Sequence, residues 1–323
     1  MLRVVPRRIE PEAESVVKIL QSGVAKSGNY ALYRIIQSIL RRSGVDLSTY
    51  IATDPIYPIA REWPLNYPEQ AAIDTIDITD TRVWYRISSI YRWPIDDIDA
   101  YLAHTTHVWT HSQVTPLSRT LFPKFDKIIY LIRDPRDVIQ SMARFAFTPY
   151  MQRFYPTEYA TPESYLDARL DKQISAWRRH VAGHVMAAAA FDITILFYER
   201  LLADLPGQLE VLCHGLGIEP TPALIAGVQA DAPLESAQAA SFTQQGGSRY
   251  GGAGLTYRQQ QRVLRQAGGL MALLGYPVSA TDTRLPVLPD PIPVDLIAKV
   301  GQPPAPPRVL RRMLRGAARR MRR

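Results

Sequence analysis

Three stretches of this 323-residue chain share one order, an apolar strand-like run followed by a loop and a helical segment. In KIIYLIRDPRDVIQSMARF the run from Ile128 to Ile132 is uninterrupted, as is typical of a parallel strand covered on both faces. SVVKILQSGVAKSG, with helical spacing from Asn29 to Ser43, and DITILFYE, followed by a helical stretch from Leu201 to Gly215, repeat this plan. The repeated unit predicts an α/β fold with a central parallel sheet.

The loop of the first unit, GVAKSGNY, has only part of a triphosphate-binding motif. Gly23 and Gly28 have the required spacing, but Asn29 and Tyr30 stand where that motif has Lys and Ser or Thr. Lys26 lies inside the loop instead. A helix that starts after such a loop directs free backbone N–H groups toward it. The loop therefore favours an anion that needs no metal, although a plain strand–helix turn is the alternative.

The second unit places Arg133 at the carboxyl end of a strand, where open α/β sheets bind ligands. Asp134 is a suitable N-cap for the next helix, and Pro135 suits its first turn. Ser141 lies two helical turns beyond Asp134, on the same helix face. Arg133 can pair with a carboxylate or bind phosphate in bidentate fashion. Together with the Lys26 loop, it favours a ligand with two separated anionic groups.

His111, in VWTHSQVTPL, is a candidate general base because imidazole titrates near neutrality. A structural role is the alternative, and the other five histidines share it on sequence pattern alone. Residues 50 to 100 are rich in Tyr, Trp, Pro and Ile and show no long periodicity. They predict irregular segments and short helices, which line a substrate pocket or only pack on the surface.

These motifs resemble those of the PAPS-dependent sulfotransferases, which move a sulfuryl group from 3′-phosphoadenylyl sulfate (PAPS) to a hydroxyl or amine. AKSGNYAL is similar to the family's phosphosulfate loop, P-K-S-G-[TN]-T-W-L, and KIIYLIRDPRDVIQS to its 3′-phosphate element, a strand followed by R-[ND]-P-[KR]-D-V-x-x-S. THSQVTPL is similar to the K-T-H-L-P segment and FYERLLADLPGQLEVLCHGLGIE to a later strand and helix. SFTQQGGSRYGGAG is weakly similar to the segments that close over the cofactor. The likeness spans residues 16 to 260.

The resemblance implies a P-loop-NTPase-like three-layer fold with a central, mostly parallel sheet flanked by helices. It implies that His111 is the general base and that Lys26 stabilises the leaving group, the 3′,5′-bisphosphate PAP, without a metal. It also implies a set of residues that bind the cofactor: Lys26, Ser27, Gly28, Asn29, Tyr30, Arg133, Ser141, Tyr198, Ser241, Phe242, Arg249, Tyr250 and Gly251.

Several positions depart from the family pattern. Ala31 replaces the tryptophan that helps to enclose adenine, and Trp109 and Tyr250 replace lysines. Ala253-Gly254-Leu255 stand in place of the usual G-D-W. These departures leave open how the adenine is covered and how charge near His111 is neutralised.

Composition divides the chain into three parts. We expect a sulfotransferase domain over 1–283, a Pro-rich linker over 284–307 and a basic amphipathic or disordered tail over 308–323. Eight of the 26 prolines lie between 286 and 307, and eight arginines lie in the tail, which leaves the body neutral. The tail favours an anionic membrane surface or a solvated end over nucleic acid.

The single cysteine, Cys213, cannot form an internal disulfide, and the N-terminus lacks the apolar core of a signal peptide. We therefore expect a cytoplasmic protein, with peripheral contact at the inner membrane surface through the tail. The expected acceptor is a hydroxyl on a small molecule, glycan or lipid-linked molecule. Two alternatives stay open: a magnesium-dependent P-loop nucleotide kinase or NTPase, and a catalytically silent nucleotide-binding protein. The oligomeric state is not predicted.

Overall fold

A computed structural model describes residues 17–88, 90–231, 254–279 and 284–301. Within them, seven strands form one sheet in the order β4-β3-β2-β5-β1-β6-β7. β2, β5, β1, β6 and β7 are parallel, and β3 and β4 form an antiparallel extension at one edge. The strands are β1 Ile19–Gly23, β2 Thr75–Ile78, β3 Val83–Ile87, β4 Tyr91–Ile95, β5 His107–Thr110, β6 Lys127–Ile132 and β7 Ile193–Phe197.

Helices cover both faces of this sheet. They are α1 Asn29–Arg42, α2 Tyr57–Ala60, α3 Ile98–Leu102, α4 Pro116–Leu121, α5 Pro135–Ala146, α6 Pro149–Phe154, α7 Pro162–Phe191, α8 Tyr198–Ala203, α9 Leu205–Leu216, α10 Pro222–Asp231, α11 Tyr257–Leu273 and α12 Val294–Gly301. Short 3₁₀ turns occupy Tyr50–Thr53, Pro68–Ala72 and Phe122–Lys124.

The core has two halves, one on each face of the sheet. Residues of α1, α9 and α10 pack on one face against alternate residues of β1 and β6, such as Ile19 and Ile129. Residues of α5, α7, α11 and α12 pack on the other face, against Leu20 and Ile128. Because neighbouring residues of a strand point to opposite faces, the apolar run of β6 supplies both halves. The predicted three-layer α/β fold with a mostly parallel sheet is confirmed.

Two local predictions differ from the structure. Residues 75–95, expected to be irregular, form β2, β3 and β4. Buried and half-buried residues alternate in β2 and β3 over only four or five positions each, and β4 has no buried residue. Such short runs give little periodicity to detect. The helical stretch from Leu201 to Gly215 is divided at Asp204, which accepts a hydrogen bond from Gly207 N–H and so caps α9.

Residues 284–301 also differ from the extended linker that their prolines predicted. Val287 N–H donates to the carbonyl of Leu274 over 3.0 Å, and the Arg178 side chain donates to the carbonyl of Val300 over 3.2 Å. Ile297 of α12 is fully buried against the core. The packed part of the chain therefore extends to residue 301, because apolar residues between the prolines find places on the domain. Residues 302–323, with the basic tail, lie outside the described residues.

The sheet order places three loops side by side. β5 and β6 flank β1 in parallel, with Ser22 opposite Thr110 and Gly23 opposite Leu131. The segments that follow β1, β5 and β6 therefore leave the sheet at the same edge, which is where ligands of such sheets bind. Separately, among the described helices none is long and apolar enough to span a membrane.

Candidate active site

The loop between β1 and α1 has a backbone that requires glycine at its end. Gly28 has φ +95°, and a Cβ at this position would lie 2.4 Å from the ring of Tyr198. Lys26 also has positive φ, 71°. Helix α1 starts directly after Gly28, without a capping side chain and without an acidic residue in its first turn. Its first N–H groups and positive end therefore face the loop, as in an anion-binding site.

Two polar side-chain atoms of this loop have no protein partner among the described residues. Ser27 is fully buried, and its Oγ makes no hydrogen bond. Asn29 is 3% exposed; its Nδ2 donates to the carbonyl of Val24 over 2.8 Å, whereas its Oδ1 has no partner. A buried polar atom without a partner costs free energy, so a ligand group that pairs with the Ser27 hydroxyl would recover part of that cost.

Lys26 directs its ammonium group into a largely desolvated place. Its Nζ lies 4.1 Å from the ring centroid of Phe145. Burial, and secondly the charge of Arg133, lower the pKa of Lys26 to about 8. A nearby anion would stabilise the charged form of Lys26, because its negative charge offsets both the burial and the repulsion from Arg133.

Arg133 joins the second strand end to the same loop. It is 5% exposed, and its Nη1 donates to the carbonyl of Lys26 over 3.2 Å. Its guanidinium carbon lies 4.4 Å from the ring centroid of Tyr198, the ring that fills the space above Gly28. Asp134 caps α5 by accepting from Arg136 N–H, as predicted, and Ser141 is half-buried on that helix. The structure thus brings Lys26, Gly28, Arg133 and Tyr198 into one cluster of contacts.

His111 contacts this cluster through the first residue of the loop. Its Nδ1 lies 2.7 Å from the carbonyl oxygen of Gly23. Since a carbonyl oxygen only accepts hydrogen bonds, Nδ1 carries the proton and Nε2 keeps its lone pair. Burial, with further contributions from the charges of Arg86, His180 and Lys26, lowers the pKa of His111 to about 3. The ring is therefore neutral near pH 7, with Nε2 able to accept a proton.

Trp109 and Tyr30, which stand where the family pattern has Lys and Thr, lie beside these groups. Trp109 is 6% exposed and meets the His111 ring edge-on, with the ring centroids 5.3 Å apart. Tyr30 turns its side chain away from the loop, since its hydroxyl donates to Glu69 over 2.8 Å and its ring stacks on Tyr67 at 4.0 Å. Only the backbone of Tyr30 is then available to a ligand in the loop.

Five of the predicted cofactor residues lie outside the described residues, and they stay predictions: Ser241, Phe242, Arg249, Tyr250 and Gly251.

Sequence reasoning missed several residues next to the site. Glu199 is 4% exposed, and burial raises its pKa to about 7; it accepts from Asp134 N–H over 2.8 Å and from the Tyr276 hydroxyl over 3.0 Å. His180 and His184 lie one helical turn apart on α7, directly under the end of β5. Their i, i+4 spacing in HVAGH was visible in the sequence, but nothing there indicated which strands this helix face would meet.

Comparison with known proteins was made at the level of sequence and of structure. The rat protein named sulfotransferase 2A2 is 27% identical over 152 residues, which are 46% of this chain and 50% of that protein. Rat sulfotransferase 2B1 is 27% identical over 110 residues, 33% of this chain and 31% of that protein. The matched part thus spans at most about half the length of these curated relatives.

Solved structures of sulfotransferase type are more distant. Retinol dehydratase in complex with androsterone and inactive cofactor PAP gives a TM-score of 0.48 at 16% identity, over 83% of this chain and 82% of that one. Mouse sulfotransferase SULT7A1 complexed with PAP gives 0.48 at 15% identity, over 77% and 81%.

The family model described as "Sulfotransferase domain" matches residues 18–249, well over half of the chain. This match contains the loop after β1, the Arg133 strand end and His111. The chain therefore belongs to the sulfotransferase domain family.

Proposed function

We propose that this protein transfers a sulfuryl group from PAPS to a hydroxyl or amine acceptor, with His111 as general base and Lys26 as the cation that stabilises the leaving group. The observation that carries the proposal is the hydrogen bond from His111 Nδ1–H to the carbonyl of Gly23. It fixes a neutral base onto the first residue of the loop that carries Lys26. Transfer from a phosphosulfate to a hydroxyl requires a base and an anion site that are held in a fixed position relative to each other. Here the Gly23 carbonyl joins His111 to the segment that carries Lys26.

The described residues fit the cofactor. The unpartnered Ser27 Oγ is suited to donate to a phosphate or sulfate oxygen, and the uncapped start of α1 supplies N–H groups beside it. Arg133 donates to the Lys26 carbonyl and so lies beside the loop, where its guanidinium would hold a second phosphate group of the same nucleotide. When bound, PAPS supplies an activated sulfuryl group on a phosphate that leaves as part of PAP.

The roles of the two catalytic residues follow from their protonation states. His111, with its pKa lowered to about 3, is neutral and presents Nε2 to the acceptor hydroxyl as the proton acceptor. Lys26, with its pKa near 8, is mainly protonated at pH 7 and stabilises negative charge that grows beside the loop. Because Lys26 is largely desolvated, its charge acts more strongly there than it would in water.

Trp109 stands where the family pattern has a lysine, so a different residue must supply positive charge near His111. Arg86 is the candidate. Arg86, on β3, pairs with Thr75 of β2, which in turn pairs with Trp109 of β5, so these residues share one face of the sheet. Its positive charge helps to lower the pKa of His111, and its Nε also lies 3.3 Å from Asp77 Oδ1 in an ion pair. We propose that Arg86 provides part of the positive charge that Trp109 cannot.

The experiment that tests the function is incubation with ³⁵S-labelled PAPS and a metabolite extract of the source organism, followed by mass detection of sulfated products. We expect a labelled product with a hydroxyl or amine acceptor from a small molecule, glycan or lipid-linked molecule, and binding of PAP without metal. Binding of ATP with magnesium and no binding of PAP would instead establish the kinase alternative. Binding of PAP without any transfer would support the alternative of a catalytically silent nucleotide-binding protein.

We propose in addition that the protein is cytoplasmic and that the tail, residues 308–323, brings it to the inner membrane surface. Its eight arginines and its row of apolar residues favour anionic lipid. Deletion after Pro307 is expected to weaken sedimentation with phosphatidylserine vesicles and to leave PAP binding unchanged. Equal sedimentation of the full-length and truncated chains would contradict this part of the proposal.

A further inference from the structure

Two buried histidines, His180 and His184, the half-buried His111 and two neighbouring strand residues form a closed ring of hydrogen bonds. The Oγ of Ser22 lies 2.9 Å from His184 Nε2, and His184 Nδ1 lies 2.9 Å from the carbonyl oxygen of His180. His180 Nε2 lies 3.2 Å from the carbonyl oxygen of His111, and His111 Nδ1 lies 2.7 Å from that of Gly23. The peptide bond between Ser22 and Gly23 closes the ring.

The chemistry of the partners fixes every proton in this ring. Three of the four acceptors are backbone carbonyls, so His184 Nδ1, His180 Nε2 and His111 Nδ1 must each carry a hydrogen. Burial lowers the pKa of His180 to about 4 and that of His184 well below its usual value, so both rings are neutral. His184 Nε2 is therefore an acceptor, and the Ser22 hydroxyl donates to it. All four bonds point in one direction around the ring.

Tyr130 of β6 sets the tautomer of His180. Its hydroxyl lies 2.8 Å from His180 Nδ1, and burial raises the pKa of Tyr130 well above its usual value, so the hydroxyl keeps its proton. Tyr130 O–H therefore donates to Nδ1, which leaves Nε2–H for the carbonyl of His111. The Tyr130 ring also stacks on His184, 4.1 Å between centroids and 2° between planes, which holds the helix face in register.

We infer that His180 is a positioning residue for sulfuryl transfer: through its bond to the His111 carbonyl, and with its own tautomer set by Tyr130, it holds the His111 ring so that Nδ1–H meets Gly23 and Nε2 keeps its lone pair for the acceptor. The inference rests on the proposed function of His111. His180 touches no reacting atom, because its two ring nitrogens are used by Tyr130 and by the His111 carbonyl.

The alternative is that the histidines only fill the core. Core packing alone does not require the hydrogen bonds of the three imidazole rings to run in one direction, whereas a neutral base requires a defined tautomer. The neutral state of His111 is supported by burial and by the groups that face it from other elements, which are Arg86 on β3, Lys26 on the loop and His180 on α7. Within the described part of the chain, His180 alone of these three groups is hydrogen-bonded to His111.

The test is a two-bond ¹H–¹⁵N correlation spectrum of the full-length protein with ¹⁵N-labelled histidine rings. In wild type we expect His111 as the Nδ1–H tautomer at pH 7. In His180→Leu we expect the two His111 nitrogen shifts to move toward an average of both tautomers, with PAP affinity unchanged. With the acceptor found in the extract screen, kcat is expected to fall about a hundredfold at unchanged KM, as for a misplaced reacting group.

His180→Gln is the conservative variant, because its amide N–H can still donate to the His111 carbonyl and is expected to restore most of the wild-type spectrum. His107→Gln is the matched control, since His107, on β5, is buried like His180 but is hydrogen-bonded to Gln37 rather than to His111.

An unchanged His111 spectrum in folded His180→Leu would overturn the inference. If that variant does not fold, Tyr130→Phe decides in its place: a shift of His111 supports the inference, and no shift overturns it. Failure of wild type to bind PAP would count against the proposed function and leave the spectral result standing.

Discussion

The loop after β1 and the closed ring of hydrogen bonds that contains His111, His180 and His184 differ in how far the protein satisfies its own hydrogen-bonding groups. On the loop, Ser27 Oγ and Asn29 Oδ1 are buried without a partner among the described residues. In the ring, both nitrogens of His180 and of His184 are paired. The Ser27 hydroxyl is thus available to donate to an anion, whereas His180 and His184 have their hydrogen-bond partners without a ligand. Binding and proton transfer should therefore respond separately to mutation.

The largest separation is expected from His111→Ala. Loss of a positioned general base should lower transfer by about 10²- to 10⁴-fold. PAP affinity should stay the same, because the loop and Arg133 are untouched. The measurements are single-turnover transfer from PAPS and calorimetric titration with PAP. His104→Ala, which removes an exposed imidazole, is the control. Wild-type turnover in His111→Ala would remove this residue from the mechanism.

Arg133→Ala is expected to have the opposite profile. Loss of a charge-assisted contact to phosphate should weaken PAP binding by about tenfold to a hundredfold. Arg133→Lys should recover only part of this, since a lysine lacks the bidentate fork. Exposed Arg119 on α4 offers a control of equal charge. A PAP affinity equal to that of wild type in Arg133→Ala would contradict the idea of two anion sites on one ligand.

Ser27→Ala tests the unpartnered hydroxyl directly. PAP affinity should fall by about tenfold, the low end for a bond to a charged group, while the free energy of unfolding without ligand stays equal or rises. Ser38→Ala is the matched control on the same segment, because Ser38 Oγ donates to Asp231 over 2.7 Å. That variant should lose about 1 kcal/mol of stability and keep its PAP affinity. The same pattern in both variants would show that Ser27 is only a core residue.

The smallest effect is expected from pH. Lys26 in the free protein has a pKa of about 8, and a bound anion favours its charged form, so PAP affinity should fall as pH rises through 8. Between pH 7 and 8.5 the protonated fraction, and with it the affinity, should drop about fourfold. Titrations in buffers of different ionisation enthalpy should show proton uptake on binding near pH 8. Lys26→Met should lose both effects, and if it keeps them another group is responsible.

The sequence was sufficient for those parts of the fold and site that depend on neighbouring residues. The uninterrupted run Ile128 to Ile132, the helical spacing from Asn29 and the Asp134-Pro135 cap each follow from local chemistry, and the structure has β6 and the starts of α1 and α5 where predicted. The same logic predicted Lys26 and Arg133 after two strands of one sheet; the structure has those strands side by side and the two residues in contact.

What the sequence did not reveal depends on groups far apart in the chain. The closed ring of hydrogen bonds that includes His111 forms because α7 packs against β1 and the end of β5. No local sequence pattern predicts which strands a helix face will contact. Tyr30 could not be placed either, because its orientation is set by Glu69 and Tyr67, which lie in a segment without clear periodicity. Short strands such as β2 were missed for the same reason.

The closed ring of hydrogen bonds also ties the proposed base to the docking of one long helix. The bond between Ser22 and His184 joins residues 162 positions apart, so it exists only when α7 is docked against β1. A chain in which α7 has not docked lacks both His180 and His184 at the strand ends, whatever the state of the loop. Arg133 also depends on α7, because its carbonyl accepts a hydrogen bond from Trp177 Nε1–H over 3.0 Å. In refolding experiments, recovery of transfer activity is therefore expected to report the docking of α7 against β1.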